Sequence, residues 1–146
     1  MPQPFRKLLA HGEHMTVTVE AHWGDAVEVS VLAVQRTPTH YSRKIALRLQ
    51  HEGRVVLFGL VRLTVSFLAP DVRDEIESER TPLGRVLIEH NVLRNVRLLS
   101  LWKVDAAEEL AEVFGVPAGT VCYGRTALIY CNGVPAVELL EIIPPS

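Results

Sequence analysis

Apolar and polar residues alternate along much of this chain. Over Met15–Trp23 the odd positions are Met15, Val17, Val19, Ala21 and Trp23, and the even ones are Thr16, Thr18, Glu20 and His22. A period of two sends successive side chains to opposite faces, so this segment predicts a half-buried strand, with Gly24-Asp25 as the turn after it. The same pattern predicts strands over 27–35 (Val27, Val29, Val31 and Ala33 on one face), 41–50 and 54–68, the last two joined through Glu52-Gly53. Pro70 opens a short helix to about 79, and Thr81-Pro82 reads as an N-cap and first helical residue of a helix to about 90. Alternation returns over 92–104, with Val92, Arg94, Val96, Leu98, Ser100, Trp102 and Val104 on the even face. Asp105 and Glu108 have capping-box spacing for a helix over 106–114 that stops at Gly115. Val121–Cys131 and 135–143 are strands flanking Asn132-Gly133, a pair that accepts the positive φ angles of a type I′ hairpin turn. Short turns between successive strands favour antiparallel pairing, and no βαβ alternation is present. The expectation is an α+β domain over 1–146, with a single antiparallel sheet of about six to seven strands.

Four charged residues break these faces. Arg43 stands in line with Ile45, Leu47 and Leu49, and Arg94 sits in the same way on the strand over 92–104. An unpaired buried guanidinium costs several kcal/mol, so Arg43 is either half of an internal ion pair or a clamp for a bound anion. Arg94, near a strand end, can reach water along its own stem. The final strand is apolar on both faces, yet Glu138 lies on one and Glu141 on the other. A carboxyl in an apolar wall has a raised pKa unless it is paired; it suits either proton transfer or an ion pair with Arg43 or Arg94.

Composition narrows the chemistry. The chain has 146 residues, 48% of them hydrophobic, and a net charge of -2, so it has no basic face for nucleic acid. No apolar run is long enough to span a bilayer, since Arg62, Thr64 and Ser66 interrupt the longest one, and no secretory leader is evident in the first residues. Cys122 and Cys131 read as reduced thiols of a cytoplasmic protein. The six histidines are scattered without metal spacing, and no nucleophile elbow, P-loop or dinucleotide fingerprint occurs. What remains is buried Arg, buried Glu and an apolar pocket, an inventory for a compact anionic ligand with no metal or cofactor.

Four segments carry a resemblance to the chorismate pyruvate-lyases and their superfamily, which includes the UTRA ligand-binding domains of GntR-type regulators. These are His14-Met15-Thr16-Val17-Thr18-Val19-Glu20; Tyr41-Ser42-Arg43-Lys44-Ile45-Ala46-Leu47 with Gly53 and Gly59; Thr81-Pro82-Leu83-Gly84-Arg85-Val86-Leu87; and Gly124-Arg125-Thr126 through Gly133-Val134-Pro135 to Glu141 and Pro144. The resemblance implies helices packed on one side of the sheet over an internal cavity. It implies that Arg43 binds a ring carboxylate, assisted by the backbone N–H of Leu83 at a helix start, and that the Met15 backbone contacts the far end of the ring. Glu141, or alternatively Glu138, would be the acid or base of a cofactor-free elimination that turns chorismate into 4-hydroxybenzoate and pyruvate. Arg94 and Arg125 resemble family arginines of less defined role. Such an enzyme would be a carbon–oxygen lyase of aromatic acid and ubiquinone biosynthesis, a monomer or weak dimer with no nucleic-acid or membrane partner. The alternatives are a lyase homologue acting on a related substrate, and a non-catalytic UTRA-like domain binding an aromatic acid. UTRA domains normally follow a winged-helix domain, and none precedes Met15, which favours the lyase expectation.

Overall fold

The computed structural model describes residues 1–92 and 94–145. Helices α1 (Phe5–Leu9) and α2 (Met15–Trp23) lead into strands β1 (Val27–Arg36), β2 (His40–Leu49) and β3 (Val55–Thr64). A 3-10 turn over Val65–Phe67 precedes α3 (Pro70–Glu77) and α4 (Leu83–Glu89). Strand β4 (Arg94–Asp105), helix α5 (Glu108–Phe114) and the hairpin β5 (Val121–Cys131) and β6 (Val134–Ile143) complete the chain. The six strands form one antiparallel sheet in the order β1-β2-β3-β6-β5-β4. The α+β expectation therefore holds.

Alternation on the sheet decides which face is covered. Leu57, Val61 and Leu63 of β3, with Val137, Leu139 and Ile143 of β6, join a core that includes Leu9, Met15, Val19, Ile76, Val86 and Leu87 from α1–α4. On the opposite face Phe58 and Ile142 pack with Leu110 and Ala111 of the short α5. The closing turn has the backbone that Asn-Gly predicts, with φ of 52° at Asn132 and 84° at Gly133.

Several local expectations fail, each for a physical reason. Met15–Trp23 is a helix, and its buried residues Met15, Thr16 and Val19 are spaced for a helix face, while Val17 is exposed. Tertiary contact with the sheet overrides the strand preference of its β-branched residues. Gly24 is the left-handed C-cap of that helix (φ 67°), its N–H donating to the Glu20 carbonyl at 2.9 Å. Strand β3 ends at Thr64, short of the expected 68. Neither predicted cap forms: Pro82 is the cap residue of α4, Ala107 that of α5, and Asp105 is still in β4. A bulge between Leu98 and Ser100 reverses the alternation of β4, so Leu101 joins the helix-side core and Trp102 faces the other way. The expected start of that strand includes Leu93, which lies outside the described residues.

Gly124 brings β5 and β6 close together. A Cβ there would lie 2.8 Å from the Glu141 carbonyl oxygen, whereas one at Gly59 would meet only side-chain atoms, the nearest Ile45 Cδ1 at 3.2 Å. Gly124→Ala should therefore cost about 1–3 kcal/mol, the usual range for overpacking, and Gly59→Ala distinctly less. The shift in urea midpoint of the two variants measures this.

Candidate functional site

The rows of the sheet show how the site is assembled. One row runs Ile45, Gly59, Glu141, Arg125 across β2, β3, β6 and β5; the next runs Arg43, Val61, Leu139, Ala127. Arg43 and Glu141 thus sit two strands apart on the helix-covered face. Between them Gly59 contributes no side chain and leaves a gap. Over this gap lie His14, Met15 and Thr16 at the start of α2 and Leu83-Gly84 at the start of α4, closing a cavity of about 30 Å³. That volume corresponds to about one water molecule. Gly84 lets the two helix starts approach: a Cβ there would lie 3.0 Å from His14 Cβ and 3.2 Å from Thr16 Oγ1.

Arg125 is wholly buried and fully engaged. Its Nε donates to Glu141 Oε1 at 3.1 Å, one terminal nitrogen to the His11 carbonyl at 3.0 Å, and the other to the Glu13 carbonyl at 2.9 Å. Burial pushes the Glu141 carboxyl up, and the adjacent guanidinium draws it back. We take the pair as ionised at neutral pH, because a neutral Glu141 would leave a buried cation without a counter-charge.

Arg43 is only 3% exposed, and among the described residues it forms no ion pair with a carboxylate. One terminal nitrogen donates to the Ile76 carbonyl at 2.9 Å, while Nε has no partner. Burial lowers its pKa from the ordinary arginine value. The choice left open by the sequence is resolved geometrically: Glu141 pairs with Arg125, leaving Arg43 a buried cation beside a cavity. His14 adds a second unmet group. It is 6% exposed, Nε2 is unpartnered, and burial, with Arg94 and Arg125 nearby, lowers its pKa to about 4.

The structure gathers Arg43, Met15, Leu83 and Glu141 around one cavity and places two other candidates outside its lining. Glu138 points to the opposite face, more than half exposed, in a 3.5 Å ion pair with Arg62. Arg94 is exposed on the edge strand, donating to the Val92 carbonyl at 3.3 Å. Two members of the site were underweighted from sequence. Arg125 breaks the apolar face Tyr123, Ala127, Ile129, Cys131 just as Arg43 breaks its own, so the signal was present. His14 stands just before an apolar run and gave none. A larger groove of about 770 Å³ lies on the opposite face; Arg43 also borders it, and its other charged residues, Lys44 with Glu109 and Arg62 with Glu138, satisfy one another near solvent. Of the buried polar atoms without a partner, Arg43 Nε and His14 Nε2 belong to residues that line the inner cavity, whereas Tyr41 Oη, Arg73 Nε and Arg85 Nε belong to residues outside its lining.

Comparison with protein-family models and with curated sequences finds no match. Solved structures do match. PhnF from Mycobacterium smegmatis superposes with a TM-score of 0.68 at 12% identity, covering 88% of this chain and 62% of PhnF. The chain thus spans less than two thirds of that protein. The effector domain of PhnF alone gives 0.69 at 11% identity, covering 90% of this chain and 88% of that domain. The ligand-binding domain of a protein assigned to the GntR family of transcriptional regulators, from Bordetella bronchiseptica, gives 0.58 at 18% identity, with 80% and 84% covered. The chain therefore shares its fold with these effector and ligand-binding domains. These matches overturn the lyase expectation, and with it the chorismate and ubiquinone context: the neighbours are effector and ligand-binding domains of regulators.

No helix among the described residues is long and apolar enough to cross a membrane, and both cysteines are free and buried.

His14 gives the site a pH signature. Its folded-state pKa of about 4 lies below the ordinary 6.5, so the unfolded chain takes up a proton first as the pH falls. Stability should be complete above 6.5 and should decline between 6.5 and about 4, by about 3 kcal/mol from this group. Glu141, pushed up by burial, acts in the opposite sense, and His51 and His90, raised by their carboxylate neighbours, also favour the folded state at low pH. The denaturation free energy of wild type minus that of His14→Phe isolates the histidine; this signed difference should fall as the pH drops from 7 to 4.5.

Proposed function

We propose that this domain binds a small organic acid in the inner cavity without transforming it, as an effector-binding module. The observation that carries this reading is Arg43, a buried guanidinium with no carboxylate partner among the described residues. A ligand carboxylate would supply the missing counter-charge through charge-assisted hydrogen bonds, the bidentate geometry for which arginine is suited. The backbone at Leu83 and at Met15 lines the same cavity, beside Val61, Ile129 and Leu139, a setting for a flat apolar body. An aromatic acid such as 4-hydroxybenzoate fits this inventory. The likeness in fold to regulator effector domains supports binding over chemistry. So does the engagement of Glu141 by Arg125, which leaves that carboxylate committed to a structural partner.

The closed cavity is too small for such a ligand, so the starts of α2 and α4 must part to admit one. The Gly84–His14 contact is where they would separate.

Calorimetry of the purified chain with 4-hydroxybenzoate should give saturable one-to-one binding. Arg43→Met should weaken it by about 10- to 100-fold, the worth of a charge-assisted hydrogen bond. The ligand-free variant should be as stable as wild type or more so, since it loses an unpaired buried charge. Chorismate should yield no pyruvate above its spontaneous rate. Unchanged affinity in Arg43→Met, or pyruvate release, would refute the reading.

A further inference from the structure

The charged side chains that line the cavity are two cations, Arg43 and Arg125, and one anion, Glu141. Arg125 and Glu141 cancel each other through their 3.1 Å contact. The remaining cavity charge is the single positive charge of Arg43. One further polar group is unmet: the imidazole of His14, held against Gly84 at the start of α2, with Nε2 buried and unpartnered. This imidazole is uncharged at neutral pH, because burial and two neighbouring arginines oppose its protonation. A closed apolar site with one positive charge accepts one negative charge readily. A second negative charge would be buried without a free cation in contact with it, since Arg125 is engaged by Glu141 and two carbonyls and Arg94 lies outside the cavity lining, and such burial is costly. An unmet neutral hydrogen-bonding group likewise discriminates, since a ligand that leaves it unsatisfied forfeits a hydrogen bond that water would otherwise make.

We propose that the cavity selects a singly charged acid that also carries a neutral hydrogen-bonding group, the acid on Arg43 and the neutral group on His14 Nε2. This rests on the small-acid reading above and deepens it. It assigns His14 as a specificity-determining contact and excludes dianions, dicarboxylates and phosphate monoesters alike, from tight binding at neutral pH.

Three probes with the same ring separate the possibilities: 4-hydroxybenzoate, benzoate, and benzene-1,4-dicarboxylate, titrated into the wild-type chain at pH 7.5 by calorimetry. The expected order is 4-hydroxybenzoate tightest, benzoate weaker by roughly tenfold, the cost of one unmet buried hydrogen bond, and the dicarboxylate weaker than benzoate. In His14→Phe, which keeps a ring against Gly84, the preference for 4-hydroxybenzoate over benzoate should disappear. The wild-type series stands on its own if that variant does not fold. Dicarboxylate binding as tight as 4-hydroxybenzoate would overturn the charge argument. Discrimination that survives in His14→Phe would overturn the role of His14. Binding of none of the three would reject the small-acid reading itself, and the inference with it, so the two failures are distinct.

Discussion

The buried contact between Arg125 and Glu141 organises this protein. It joins the two strands of the β5–β6 hairpin side by side, and through the other two donor groups of Arg125 it fixes the loop at His11 and Glu13. That loop delivers His14, Met15 and Thr16 to the roof of the cavity. One guanidinium therefore connects the floor of the site to its cover, across more than a hundred residues of sequence. Such a pair adds little net stability compared with apolar side chains of the same size, but it is costly to break from one side. Its value here is positional: it leaves the roof one way to sit.

Two of the polar groups that the fold leaves unmet stand beside this satisfied network. Arg43 Nε and His14 Nε2 are both deeply buried, and both residues line the same small cavity. Unmet polar groups are rare inside proteins, and two around one void mark where the protein keeps interactions in reserve for something else. Elsewhere on the surface, ion pairs such as Arg36–Glu77 and Arg85–Glu20 occupy their partners in the ordinary way.

Much of this was legible in the sequence. Strands β1 and β2 announced themselves through alternation, and Asn132-Gly133 marked the β5–β6 hairpin because few other residues tolerate its backbone. Arg43 and Glu141 stood out as charges on apolar faces, which is where they lie. Met15–Trp23 misled because period two and helical spacing both fit so few apolar residues; only the sheet beneath selects between them. The β4 bulge was invisible for a related reason, since one extra residue reverses a face without changing composition. Partner choice was not encoded locally either. That Glu141 pairs with Arg125 and not with Arg43 depends on strand order, a property of the assembled sheet. His14 is polar in a segment that looks like a loop until its burial is seen.

The smallness of the cavity has a kinetic meaning. A void with room for about one water cannot admit a ring, so binding must follow the occasional opening of the α2–α4 roof. Apparent affinity is then the intrinsic affinity scaled by the fraction of molecules that are open, and association is paced by that opening rather than by diffusion. On the small-acid reading, the same barrier would delay escape, so an acid once enclosed would stay long after its free concentration falls. A binding domain built this way would integrate the presence of its ligand over time instead of following each fluctuation.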